Sequence, residues 1–359
     1  MPLKYKKIVV KIGSNVLTQS NGLPDEHRLA NLVEQIVNLK NQGISVIVVS
    51  SGAVASGRSM FSISEKHDAV AARQLLASIG QIKLINNYMS LFQKYDMLCS
   101  QVLVTKEDFR DRKHYLNIKS CLNILLKNNV IPIVNENDVV SVTELMFTDN
   151  DELAALIASM MDADALIILS NVDGIYNGDP KSATSVLIPE IKKNMEEIDS
   201  FISTAKSGLG RGGMVTKLGM ARKVAKLGIP VHITNGMRDN IVYDLLFGTA
   251  LNTYFVPEKN TSGKKKWIAH SEQSATGSVQ LNAGAKTALM SGAAHSLLPV
   301  GIIAVISSFE KGDIIKLIDE HNHLIGLGIA DYNSEKATER IGQKGHKALV
   351  HYNYFYAVD

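Results

Sequence analysis

Four short stretches of this 359-residue chain place reactive side chains beside glycines at the ends of apolar runs. In the first, Lys11-Ile12-Gly13-Ser14 closes the β-branched run Ile8-Val9-Val10. A lysine at the end of a strand buried on both faces is costly unless an anion meets it in a cleft. Gly13 lets the backbone approach a ligand closely, and Ser14 adds a hydroxyl donor. The stretch reads as a phosphate-handling lysine at the mouth of an α/β sheet, against the competing reading of an edge-strand lysine that snorkels to solvent. The second stretch, Ser50-Ser51-Gly52-Ala53, ends the apolar run 44–49. Its N–H groups and hydroxyls can face a carboxylate or phosphate, although a plain strand-to-helix connection accounts for it too.

The third stretch is the most polar: Asn135-Glu136-Asn137-Asp138, then Glu144, then Thr148-Asp149-Asn150-Asp151-Glu152. Open α/β sheets bind ligands where strands end in such clusters. Asp138 and Asn150 suit the ammonium and carboxylate of an amino acid, one as acceptor and the other as amide. Asp149 or Asn150 can also cap the helix carrying Leu153, Leu156, Ile157 and Met160. Binding of a divalent cation by the acidic cluster is the alternative, and substrate recognition is favoured. The fourth stretch, residues 207–217, is glycine-rich and opens a helix bearing Leu218, Ala221, Val224 and Leu227, with Thr216 and Lys217 in its first turn, an anion site by construction. Gly208, Gly210 and Gly213 fit a dinucleotide fingerprint, but no buried strand directly precedes them and the next strand ends Thr234-Asn235 without an acidic residue. There is no P-loop run either.

The elements that position these residues follow from apolar spacing. Strands are expected near residues 8–12, 44–49, 97–104, 130–134, 165–169 and 231–234, the last closing the sheet. Helices are expected over 29–37, behind Pro24-Asp25 and before Gly43, and over 69–95, 115–126 and 218–227. Alternation of strand and helix predicts an α/β fold, an αβα sandwich on a mainly parallel sheet. Asp173-Gly174 reads as a tight turn or hairpin leaving that sheet. Residues 1–257 form this first domain, the polar run 258–266 a linker, and 267–359 a second domain of short strands (279–281, 301–306, 314–318, 324–329, 348–352) around one helix at 283–290, a small β-rich barrel.

Composition sets the class. Hydrophobic residues make up 45% and charged residues 20%, as in globular enzymes. The formal net charge of +3 is too small to mark a nucleic-acid or membrane surface. Residues 264–359 carry ten Lys/Arg against nine Asp/Glu, which argues against RNA as a partner. Cys99 and Cys121 read as two buried thiols in a reducing cytosol rather than a disulfide. No run reaches the ~18 apolar residues of a membrane span, and Lys11 and Gly13 cut short any signal-type apolar region, so a cytoplasmic protein is expected. His321-Asn322-His323 lacks further ligands at useful spacing, and no protein metal site is assigned.

Taken together, Val9-Val10-Lys11-Ile12-Gly13-Ser14, Ser50-Ser51-Gly52-Ala53, Asn135-Glu136-Asn137-Asp138, Asp149-Asn150-Asp151 and Gly212-Gly213-Met214-x-Thr216-Lys217 resemble the glutamate 5-kinases of the amino acid kinase family. Leu297-Leu298-Pro299 and the β-rich tail are similar to the PUA domain often appended to them. The resemblance covers nearly the whole chain. It implies phosphorylation of the L-glutamate side-chain carboxylate by ATP with Mg²⁺, in proline biosynthesis, with proline as feedback inhibitor and a dimer or tetramer as the assembly. It further implies that Lys11 and Lys217 contact the transferring phosphoryl group and that Asp151 orients them. Ser51, Gly52, Asp138 and Asn150 would bind glutamate. Ser170, Asn171 and the turn Arg211, Gly212, Gly213, Met214, Val215, Thr216 and Lys217 would hold nucleotide. The chain departs from the family at Ser170-Asn171, where Thr-Asp is usual.

Overall fold

The computed structural model describes residues 5–63, 68–140, 147, 149–193, 195, 214–258, 261–291 and 293–358. The chain divides at residue 260 into two compact units. The first is built on an eight-stranded sheet of β1 (Lys7–Ile12), β2 (Ser45–Ser50), β3 (Cys99–Val104), β4 (Ile131–Glu136), β5 (Ala165–Ser170), β6 (Glu190–Ile191), β7 (Val231–Asn235) and β8 (Asn252–Phe255), in the order β3-β4-β2-β1-β5-β7-β8-β6. From β3 to β7 every neighbour is parallel, so the C-terminal ends of six strands share one edge. β1 lies between β2 and β5, with Lys11 in register with Val49 and Ile168.

Burial explains the central position of β1. Ile8, Val10 and Ile12 pack into one core with Val46, Val48, Ile167 and Leu169 and with Leu29, Leu32, Val33 and Ile36 of the Glu26–Asn41 helix. Val9, Ile47 and Ile168 alternate to the other face and are equally buried. Each such side chain contributes about 1.5–3 kcal/mol. The Asn150–Met160 helix buries every residue from Leu153 onward, as a helix in the middle of a sandwich must. Aspartates cap the long helices: Asp25 accepts from Arg28 N, Asp68 from Val70 N and Ala71 N, Asp111 from His114 N.

The sheet does not end at β7. Antiparallel β8 follows it, reached through the Ile241–Phe247 helix, and the two-residue β6 lies beyond. Both are too short for a periodicity signal. Neither thiol is buried as expected: Cys99 is half-exposed at the edge strand, Cys121 is exposed on its helix, and both are free.

The second unit holds a five-stranded sheet of β9 (Gly277–Leu281), β10 (Ile302–Ser307), β11 (Ile314–Ile318), β12 (Leu324–Ile329) and β13 (Phe355–Ala357), ordered β10-β9-β11-β12-β13. Val279, Leu281, Ile302, Ile315, Leu317 and Phe355 form its core. The expected barrel does not close among the described residues, where β10 pairs with β9 and β13 with β12. The strand expected at 348–352 is instead a single bridge, Leu297 to Val350, with the last strand starting at Phe355. Leu349 and Val350 carry the apolar signal because they are core residues, not because they lie in a ladder. The run 258–266 includes the start of a helix, Gly263–Ala269, on which Lys266 is buried.

Candidate active site

The site forms where β1, β2, β4 and β5 end. Asp151, in the first turn of the Asn150–Met160 helix, is completely buried and accepts two ion pairs. Lys11 Nζ reaches its Oδ1 at 2.6 Å from the end of β1, and Lys217 Nζ reaches its Oδ2 at 3.0 Å from the first turn of the Met214–Lys226 helix. One carboxylate thus fixes the spacing of two ammonium groups carried by elements more than 200 positions apart in sequence. Burial works against the charge on Asp151, but the two lysines outweigh it and hold the carboxyl below the usual carboxylate range. Gly13 leaves room for the arrangement: a Cβ there would lie a tight 3.3 Å from the Leu169 carbonyl and 3.4 Å from Lys11 Nζ.

Asp149 caps this helix, its Oδ1 accepting from Asp151 N at 2.9 Å and Glu152 N at 3.1 Å. Burial, reinforced by the negative charge of Asp151, pushes its carboxyl up to about 6.

A neutral network adjoins the charged one. The Asn150 amide, Nδ2, donates to Ser51 Oγ at 2.9 Å, Ser50 O at 3.0 Å and Asn135 Oδ1 at 3.0 Å, sharing two hydrogens among three acceptors. Asn135 Nδ2 in turn donates to Gln81 Oε1 at 2.9 Å. Ser50 and Tyr88 share a buried hydroxyl–hydroxyl bond at 2.9 Å. Gly52 adopts φ +108°, a left-handed conformation that only glycine takes freely, to turn β2 into the Ala53–Arg58 helix. That helix crosses the Ala69–Gln93 helix in backbone contact. A Cβ on Gly80 would overlap the Ala53 carbonyl and Gly57 N, and one on Gly57 would overlap the Leu76 carbonyl.

The Ala69–Gln93 helix supplies what sequence reasoning missed. Arg73 Nε donates to Asp138 Oδ1 at 2.7 Å, and its Nη2 lies 3.0 Å from Glu136 Oε2 and 2.6 Å from Asp138 Oδ1. Gln74 Nε2 donates to Val139 O at 3.1 Å. Asp138, read as an acceptor for an ammonium, therefore already holds a guanidinium. A signal did exist: Arg73, Ala77, Gly80, Gln81, Leu84 and Tyr88 recur at helical spacing, and two polar residues plus a glycine in a buried stripe ask for partners.

The structure thus brings together Lys11, Asp151 and Lys217, and, beside them, Ser51 and Asn150. Ser170 is buried at the end of β5, its carbonyl accepting from Gly236 N, while Asn171 is exposed just beyond. Met214 and Thr216 are half-buried and Val215 is exposed on the helix that carries Lys217. Arg211, Gly212 and Gly213 lie outside the described residues, as do Glu144, Thr148 and the glycine fingerprint at 208–213. Among the described residues no three His, Cys, Asp or Glu side chains gather as a metal cage, and no helix is long and apolar enough to cross a membrane.

Comparison with known proteins places the chain in a family. Residues 6–235 match the model of the amino acid kinase family, and residues 277–352 that of the PUA domain. A protein of Bacteroides thetaiotaomicron named glutamate 5-kinase is 50% identical, covering 99% of both chains. A second of that name, from Chlorobaculum tepidum, is 48% identical over 99% of this chain and 98% of its own. Among solved structures, carbamate kinase from Giardia lamblia bound to AMP-PNP superposes with a TM-score of 0.50 at 18% identity, over 71% of this chain and 99% of its own, a likeness of fold. With the family model matched over residues 6–235, from β1 to β7, and relatives alike from end to end, this chain belongs to the amino acid kinase family.

Proposed function

We propose that the chain phosphorylates the side-chain carboxylate of L-glutamate with ATP, giving L-glutamyl 5-phosphate in the first step of proline biosynthesis. The carrying observation is the Lys11–Asp151–Lys217 clamp. Phosphoryl transfer to a carboxylate needs no general base, because a glutamate side chain with pKa ~4.3 is already ionised at neutral pH. It needs alignment and positive charge on a loosely bound phosphoryl group, and two pre-spaced ammonium groups provide both. A glutamate carboxylate oxygen attacks the γ-phosphorus, the bond to the bridging oxygen breaks, and its electron pair leaves with ADP. Lys11 and Lys217 hold the equatorial oxygens through that exchange, and Asp151 keeps the lysines in place.

The substrate reading is supported by relatives named glutamate 5-kinase at up to 50% identity over this full length. Ser51, Gly52, Asn150 and Asp138 would hold glutamate, Asp138 facing its α-ammonium. Ser170, Asn171 and the turn 211–217 would hold nucleotide. ATP would supply the phosphoryl group, and Mg²⁺ would screen its phosphates. Asn171, an amide where a carboxylate is usual in the family, suits a ribose or adenine contact better than a metal contact. Feedback by proline, a dimeric or tetrameric assembly and a cytoplasmic location complete the reading.

The test is ATP-dependent hydroxamate formation with Mg²⁺ across L-glutamate, N-acetylglutamate and L-aspartate. Turnover with L-glutamate alone is the expected result. Turnover with N-acetylglutamate instead overturns the substrate assignment while leaving the lysine clamp intact.

A further inference from the structure

Two carboxylates leave the end of β4 two residues apart, Glu136 and Asp138, with side chains only 2% and 8% exposed. Like charges this buried and this close cannot both stay ionised without a cation between them. Arg73 is a cation so placed. Its guanidinium is planar and permanently charged, and its fork engages both acids at once, through Nε and Nη2 toward Asp138 and Nη2 toward Glu136. Glu136 passes the constraint on, since its other oxygen accepts from Phe147 N at 3.0 Å, two residues before the helix-capping Asp149. Arg73 and Gln74 together anchor residues 136–139 to the Ala69–Gln93 helix.

We infer that Arg73 is a positioning residue for amino-acid specificity: it keeps Asp138 ionised and fixed in orientation, so that a substrate bearing an α-ammonium is preferred over the same diacid without one. The inference rests on the reading of Asp138 as the ammonium acceptor. Removal of Arg73 takes a cation from between two buried carboxylates and raises the cost of keeping both ionised. A protonated Asp138 meets an ammonium with a donor, and binding must first expel that proton. The loss falls chiefly on the ammonium contact, because Lys11, Asp151 and Lys217 keep their own ion pairs.

The experiment measures KM for L-glutamate, KM for ATP, kcat, and the inhibition constant of glutarate, which is glutamate without its amino group. The chains compared are the unchanged one, R73Q, R73K and R73Q/E136Q. In R73Q, KM for L-glutamate should rise about tenfold to a hundredfold, the range of a lost charged hydrogen bond, while kcat, KM for ATP and the glutarate constant stay within about threefold. R73K keeps the charge without the planar fork and should fall in between. R73Q/E136Q removes the like-charge conflict and should recover part of the lost affinity, a rescue that a purely structural role for Arg73 does not give. A glutarate constant that worsens in step with KM for L-glutamate overturns the inference, as does a double variant no better than R73Q. Failure of the unchanged chain to use L-glutamate is a separate result, and it overturns the functional reading on which the inference stands.

Discussion

The two ends of the central sheet treat buried polar groups in opposite ways. At the N-terminal end, Tyr5 OH meets His232 Nε2 at 3.0 Å and His232 Nδ1 meets Asn252 Oδ1 at 3.0 Å. Burial pushes the Tyr5 hydroxyl up to about 12 and the His232 imidazole down, so both stay neutral at physiological pH. Each ring nitrogen of His232 has a partner within the protein. At the C-terminal end, charges are crowded instead: Lys11, Asp151 and Lys217 converge within hydrogen-bond distance, with Asp149 two residues away and Arg73, Glu136 and Asp138 forming a second cluster. Neutral, mutually satisfied groups lock a fold together. Packed charge costs desolvation that folding alone gives no reason to bear, and it marks that end as the candidate site.

Breaking the clamp should have the largest effect. K11A and K217A should each lower turnover about a hundredfold or more, as when one oriented donor is removed from a transition state. Each should also destabilise the fold by about 3–5 kcal/mol, because Asp151 loses a partner while fully buried. Steady-state rates and urea unfolding read the two effects separately, and retained turnover in both variants would sink the assignment.

Asp149 sharpens the comparison through pH. Its folded-state value of about 6 lies above the ~3.9 of an unfolded aspartate, so the native state holds the proton more tightly. Stability is therefore lost as pH rises between those values, by at most about 3 kcal/mol. D149N keeps the helix cap without titrating. Its stability relative to the unchanged chain should climb from about pH 4 to 7 by up to that amount; a flat difference in urea unfolding contradicts the crowding of charge described for this end.

G80A comes next. Backbone atoms of Ala53 and Gly57 occupy the space of the new methyl, so the helices must separate at a cost of about 1–3 kcal/mol in thermal unfolding. Because the Ala53–Arg58 helix follows directly from Ser51-Gly52, KM for L-glutamate should rise more than KM for ATP. The smallest effect on activity belongs to the quiet end. Y5F leaves one nitrogen of His232 unsatisfied, for about 1–3 kcal/mol in stability, with kcat unchanged. A fall in kcat would mean that the two ends are not independent.

Much of this was legible in the sequence, for physical reasons. Lys11 and Lys217 stand out because a charge beside a buried apolar run or in a glycine-rich helix start needs an explanation; Asp151 reads locally as a first-turn acid, and its place between the lysines came only from the family resemblance. The parallel sheet follows from strand–helix alternation over long, strongly apolar segments. Arg73 and Gln81 escaped because a long apolar helix is read by its periodicity, and polar residues on its buried stripe acquire meaning only once their partners on β4 are seen. β8 escaped because four residues give no periodicity. The barrel was an overreading of texture: short strands and turns fix strand content, whereas closure depends on a pairing between first and last strands that no local pattern encodes.

The backbone contact at Gly57 and Gly80 has a consequence for anyone wishing to re-tool this pocket. Two helices joined without intervening side chains behave as one mechanical part, and that part carries Ser51 at one end and Arg73, Gln74 and Gln81 along its length. The Ser51 hydroxyl and the Arg73 guanidinium therefore cannot be adjusted separately by repacking either helix; shifting one drags the other. Room for a longer or bulkier acid has to be sought in the β4 turn, at residues 136–140, where side chains rather than backbones set the distances.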